Sequence, residues 1–274
     1  MDIKQYHEAR LARLAQEPKF RTICFRCMHP DFNCYCALIK PFDPKMHFAI
    51  LMHKIEARRR VATGRLSHLS LENSLLITGH DFTDDKQVNA LIDDPRNHSV
   101  VLYPGRNSQN LSELAPEERA SFFPRDKKLV VFVIDGTWNT ARQMIRSQCF
   151  QSLPRVCFTP PSMSSFRVRK QPMPECYSTL EAIHHTIELV GPGRGFAAVD
   201  RKHDALLEVF DAMVERQLEY ARRSHRVNTH SRHKRHCESS AESSAESSAE
   251  SSAESSAERS EPGALTKARL APLL

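Results

Sequence analysis

Residues 128–141 read KLVVFVIDGTWNTA, and the reading of this stretch decides the fold. The run from Lys128 to Ile134 is the most apolar in the chain and lacks clean alternation, which fits a strand buried on both faces. It ends on Asp135-Gly136-Thr137-Trp138, where Trp138 is the only tryptophan. In an open parallel sheet, ligands bind beyond the carboxyl ends of strands. A central strand here would therefore set Asp135 at a ligand-binding rim. Gly136 permits a sharp turn or close approach to the backbone. Thr137 suits a helix N-cap, and Trp138 either closes a site or braces the new helix. A cap plus a core tryptophan would account for the same residues without any ligand.

Outward from this strand, short apolar runs recur at FAILM (48–52), SLLIT (74–78), SVVLY (99–103) and RVCF (155–158), each without clean alternation and so also fitting a strand buried on both faces. Helical patterns lie between them at 63–72, 85–92, 115–122 and 138–150, and two more follow at 178–190 and about 200–224. Residues 1–20 read as an amphipathic helix. Strand alternating with helix predicts an α/β fold with a mostly parallel sheet and flanking helices. In the last helix Leu206, Phe210, Met213 and Leu218 form one stripe, read as a docking face. Tyr103-Pro104-Gly105 ends one strand, and Ser178-Thr179-Leu180-Glu181 opens a helix with the spacing of a capping box. These turns and the one after Asp135 could converge on one ligand.

CFRCMHPDFNCYC places Cys24, Cys27, Cys34 and Cys36 within thirteen residues. Four thiols so close together suggest one tetrahedral zinc site, with His29 as a spare ligand. Four thiolates leave no position for water, so such a zinc would be structural. The bland alternative is four unrelated cysteines. Cys149, Cys157 and Cys176 read as packing or spare thiols.

The chain has 274 residues, 40% of them hydrophobic, enough for a large core. No run approaches ~18 uncharged apolar residues, so no membrane span is expected. The charged N-terminus does not read as a signal peptide, and the expected location is the cytoplasm, where the eight cysteines stay reduced. From Glu238 onward seven Glu face three basic residues, so the net charge of +6 conceals +10 on the preceding 237 residues. That balance fits a polyanionic partner or simple solubility. The fivefold ESSA repeat from Glu238 to Ala257 predicts a disordered tail. The basic stretch 222–236 before it reads as an RNA-binding arm or a solvated linker.

The chain resembles the DTW-domain family, the tRNA-uridine aminocarboxypropyltransferases, in their bacterial form. The resemblance rests on the four-cysteine cluster, His53-x2-Glu56 followed by Thr63-Gly64-Arg65-Leu66, Tyr103-Pro104-Gly105, and Asp135-Gly136-Thr137-Trp138 with Ala141. Arg167-x-Arg169-Lys170-Gln171-Pro172 and Ser178-Thr179-Leu180-Glu181-Ala182 complete it. It covers about residues 20–190. Ala62 departs from the pattern, which carries Asn before Thr-Gly-Arg.

The resemblance implies a SPOUT-like knotted fold and transfer of the 3-amino-3-carboxypropyl group of S-adenosylmethionine, as co-substrate, to N3 of a tRNA uridine. Methylthioadenosine would leave. Asp135 is the expected catalytic base, or else a partner for the donor's ammonium or ribose. Tyr103, Pro104, Gly105, Gly136, Thr137, Trp138, Ser178, Thr179 and Glu181 are assigned to the donor pocket. Arg58, Arg59, Arg60, Arg65, Arg167, Arg169 and Lys170 are assigned to tRNA phosphates, or to solvated basic loops. His53 reads equally as a core histidine. The expected organisation is an N-terminal helix (1–22), a zinc segment (23–46), a catalytic domain (47–225) and a linker and tail (226–274), with no protein partner implied. A SPOUT-like methyltransferase and a non-catalytic zinc-containing RNA-binding module are the competing readings.

Overall fold

The computed structural model describes residues 2–16, 22–59, 61–168 and 176–222. The chain falls into two units, Met1–Arg216 and Gln217–Leu274, and the site lies wholly in the first. The expected tail and most of the basic arm lie outside the described residues.

The described elements run α1 (Ile3–Gln16), β1 (His47–His53), α2 (Lys54–Ala57), α3 (Thr63–Ser70), β2 (Ser74–Gly79), α4 (Lys86–Asp93) and β3 (Asn97–Leu102). Then come β4 (Ser108–Asn110), α5 (Pro116–Phe122), β5 (Lys128–Asp135), α6 (Trp138–Met144), β6 (Arg155–Cys157) and α7 (Thr179–Val190). A last helix, α8, starts at 204. All six strands join one parallel sheet in the order β2-β1-β5-β3-β6-β4.

β5 sits between β1 and β3, which explains its apolar run: five consecutive residues, Leu129 to Val133, are buried. Alternation along it sorts two cores. Val130 and Phe132 join Ala49, Leu51 and Val101 under Met144 of α6 and Ile145 at its C-cap. Val131 and Val133 point to the opposite face, where α7 packs on β5 and on α3. The buried stripe Leu180, Ile183, Ile187 and Val190 gives α7 its apolar side. Asp135 shares the parity of Val131 and Val133, so its side chain enters the α3–α7 layer.

Two expectations need correction. β2 is not buried on both faces, because it is an edge strand with one fully buried residue, Ile77. The helix expected over 138–150 stops at Met144. There the Ser147 hydroxyl donates to the Met144 carbonyl at 2.8 Å and accepts from the Phe82 amide at 3.1 Å, and a short 3₁₀ turn follows. α1 is helical as expected, and its residues 3–10 are exposed. The stripe on α8 does dock on the core, since Leu206, Phe210 and Met213 are buried.

Candidate active site

A cavity of about 540 Å³ opens at the carboxyl ends of β3, β5 and β6. That volume lies within the usual range for a small-molecule site. The start of α7, with Ser178 and Thr179, and the turn from Gly136 to Trp138 close two of its sides. Of the residues expected to form a pocket, Tyr103, Pro104, Gly136, Thr137, Trp138, Ser178 and Thr179 line it. Gly105 and Glu181 do not.

Asp135 is 3% exposed and accepts hydrogen bonds at Oδ1 from the hydroxyls of Thr179 at 2.7 Å and Thr63 at 3.4 Å. Thr63 and Thr179 are the first helical residues of α3 and α7. Two positive helix ends and two hydroxyl donors thus meet one carboxylate, an arrangement that suits negative charge. Gly64 makes this approach possible: a Cβ there would stand 2.6 Å from Asp135 Oδ2. Gly136 is needed for a similar reason, since its Cβ would meet Thr140 Oγ1 at 2.6 Å.

The two capping motifs are in place. Thr137 Oγ1 accepts from the Thr140 amide at 3.2 Å. Ser178 and Glu181 exchange hydrogen bonds, the Ser178 amide donating to Glu181 Oε2 at 2.7 Å. The Glu181 carboxylate also takes the Ser165 amide and the Ser164 hydroxyl, each at 2.7 Å. It therefore holds the 159–168 loop against α7 rather than facing the cavity. Gly105 lies in the turn that feeds β4, where the Ser108 hydroxyl donates to the Tyr103 carbonyl at 2.7 Å.

Cavity walls are otherwise apolar and aromatic, including Tyr103, Phe158, Phe166 and Tyr177. Burial raises the Tyr103 phenol and the Cys157 thiol above their ordinary values. Outside the cavity, burial pushes Cys149 up to about 11. None of this favours a reactive thiolate.

The basic run after β1 divides. Arg59 lines the cavity, and its Nη1 lies 3.2 Å from Oε1 of Glu56, whose side chain is 2% exposed. Arg58 is exposed and Arg60 lies outside the described residues. Arg65 donates to the Ala57 carbonyl at 2.7 Å. Arg167 pairs with Glu215, while Arg169 and Lys170 lie outside the described residues. His53 is buried and caps α2, its Nδ1 accepting from the Ile55 amide at 3.2 Å. Burial, then the neighbouring His80, lowers its basicity. Ala62 is the N-cap residue of α3 and offers no side-chain acceptor, so the Asn of the resembling pattern falls at a capping position.

The four N-terminal cysteines come together. Cys24 and Cys36 sulfurs stand 3.7 Å apart, as do those of Cys27 and Cys34, and all four lie within 4.8 Å of one another. A regular tetrahedron with ~2.3 Å metal–sulfur bonds has edges of about 3.8 Å, so the set fits zinc. Amides of Cys27 and Arg26 hold the Cys24 thiol down to about 6. Burial raises Cys27, so a cation would be needed to keep all four ionised together. His29 stays out of this shell and packs edge-on against Tyr35, with ring centroids 4.9 Å apart.

A second cluster escaped the sequence reading. His184, Glu188, His203 and Asp204 also bring ligand atoms within 4.8 Å of one another. Arg201 already bridges both carboxylates, donating to Asp204 Oδ1 at 2.7 Å and to Glu188. Its guanidinium supplies the positive charge a metal would bring.

A family model for the DTW domain matches residues 21–218. Among curated proteins, the chain is 27% identical to the "tRNA-uridine aminocarboxypropyltransferase 2" of Macaca fascicularis over 178 residues, 63% of this chain and 58% of that protein. It is 27% identical to the mouse protein of the same name over 59% of this chain and 54% of that one. With the Drosophila melanogaster protein of that name it shares 28% identity over 61% of this chain and 66% of that one. The match thus spans little more than half the length of the first two relatives. No solved structure matches the chain.

Proposed function

Because the chain belongs to the DTW-domain family, we propose that it transfers the 3-amino-3-carboxypropyl group of S-adenosylmethionine to N3 of a uridine in tRNA. The observation that carries this reading is the cavity at the strand ends: Tyr103-Pro104, Asp135 to Trp138 and Ser178-Thr179, distant in sequence, share its wall. The names of the macaque, mouse and fly relatives support the same reaction class. The all-parallel sheet, with β5 inserted between β1 and β3, is compatible with the SPOUT-like knotted topology included in the proposal.

The sulfonium donor is already an electrophile and its leaving group is a neutral thioether, so departure needs no acid. A bond forms between uridine N3 and the terminal carbon of the aminocarboxypropyl chain. The bond from that carbon to sulfur breaks, and its electron pair stays on sulfur in methylthioadenosine. The N3 proton goes to Asp135. A positioned base contributes ~10²–10⁴-fold, and aligning the reacting atoms contributes several kcal/mol more. Thr63 and Thr179 hold the carboxylate in place. The aromatic wall would take the adenine, with Trp138, 40% exposed, at the mouth.

Arg58, Arg60, Arg65, Arg167, Arg169 and Lys170 remain proposed phosphate contacts. Cys24, Cys27, Cys34 and Cys36 would hold a structural zinc that ties the N-terminal segment together. Among the described residues no helix is long and apolar enough to cross a membrane, and the proposed place of action is the cytoplasm. Residues 238–274 are proposed to be dispensable for the reaction.

The test is mass spectrometry after incubation with a tRNA transcript and S-adenosylmethionine. Methylthioadenosine with a 3-amino-3-carboxypropyl uridine is the expected result. S-adenosylhomocysteine would replace this reading with methyl transfer. Binding of tRNA without donor consumption would leave a non-catalytic RNA-binding module.

A further inference from the structure

Arg59 and Asp135 are the two charged residues among those that line the cavity. The remaining wall is apolar, aromatic or hydroxylic, so a guanidinium there suits an anionic group on what binds. We infer that Arg59 binds the α-carboxylate of the donor's amino-acid end, and so selects a carboxylated sulfonium donor. This assignment rests on the transfer reading above and names a specificity contact within that same site.

The physical case begins at the end of β1. His53 caps α2 through its Nδ1 and fixes where that one-turn helix begins. Glu56 is then buried and Arg59 follows three residues later, ion-paired to it. A guanidinium has five N–H donors; the contact to Glu56 is made through Nη1, so the fork has further donors for a second oxyanion. Carboxylate is the planar anion that such a fork matches. The donor has one carboxylate, while uracil and adenine are neutral. Of the described basic residues in the 58–65 stretch, Arg59 alone lines the cavity; Arg58 does not, and Arg65 is spent on the Ala57 carbonyl. The His53-x2-Glu56 pattern thereby gains a purpose: it presents Arg59. A backbone phosphate of the target nucleotide is the other anion within reach of the mouth, and the experiment separates the two.

Calorimetry would compare S-adenosylmethionine with decarboxylated S-adenosylmethionine, which differs only by the carboxylate, on full-length wild type, Arg59→Met and Arg59→Lys. A charge-assisted contact of this kind corresponds to ~10–100-fold in affinity. Wild type is expected to prefer the carboxylated donor by that factor. Arg59→Met should lose the preference by weakening only the carboxylated donor, and Arg59→Lys should restore part of it. Filter binding of a tRNA transcript should change little in Arg59→Met. Equal affinity of wild type for both donors, or a preference that survives in Arg59→Met, overturns the assignment. A drop in tRNA affinity with donor preference intact moves Arg59 to a phosphate. Because donor binding is read directly, absence of product in the transfer assay would count against the reaction and not against the clamp.

Discussion

Thr179 Oγ1 donates to Asp135 Oδ1 at 2.7 Å, joining the first residue of α7 to the last residue of β5. This bond closes the cavity around its one carboxylate. It also fixes where that carboxylate points, since the Thr63 hydroxyl reaches the same oxygen from α3.

Asp135→Asn therefore separates geometry from chemistry. The amide oxygen can still accept from Thr179, but asparagine cannot take the N3 proton. The single-turnover rate should fall by ~10²-fold or more, with donor affinity by calorimetry little changed. The defect should shrink as pH rises, because more uridine is then already deprotonated at N3. Weak donor binding with a normal rate at saturation would instead assign Asp135 to the donor's ammonium.

Gly64→Ala tests the close approach on the other side of Asp135. The new Cβ would lie 2.6 Å from Oδ2 and 2.7 Å from Cγ, and the buried carboxylate must move. Overpacking of this kind costs about 1–3 kcal/mol. Urea melts should show that loss, and turnover should fall with it. An unchanged rate would mean the position of Asp135 is not critical.

β5 and its exit turn were legible because a short apolar run rich in Val and Ile without alternation fits a doubly covered strand, and Gly-Thr after Asp135 suits a turn into a helix cap. β4 was not legible: Ser108-Gln109-Asn110 has no apolar residue, and its pairing is supplied by β6. The capping roles of Thr137 and Ser178 could be read from spacing, since a cap is a local relation. The role of Arg59 could not. In a run of three arginines each looks like a phosphate contact, and only the start of α2, set by the His53 cap, turns Arg59 toward the cavity. The Arg201 network was hidden for a similar reason, because its partners come from α7 and from the first residue of α8.

Cys27→Ser should abolish zinc binding. Wild type is expected to carry one zinc per chain, with binding energy that doubles as folding energy for the N-terminal segment. Metal analysis should show zinc lost in the variant, and proteolysis near residues 22–40 should accelerate. Full zinc occupancy after the substitution would end the four-thiolate assignment.

Ala62→Asn should stabilise the protein. Ala62 stands at the N-cap of α3 with extended backbone angles and no side-chain acceptor for the first amides of that helix. Asn at an N-cap is worth about 0.5–2 kcal/mol over Ala. The residue is 2% exposed, so the larger side chain must fold onto its own helix terminus, the conformation a cap requires. The expected outcome is a higher urea midpoint with an unchanged slope. Firmer anchoring of α3 would also hold Thr63 against Asp135 more tightly, so turnover should be equal or higher. A lower midpoint would show that the buried site has no room for the amide and that the alanine is a packing adaptation.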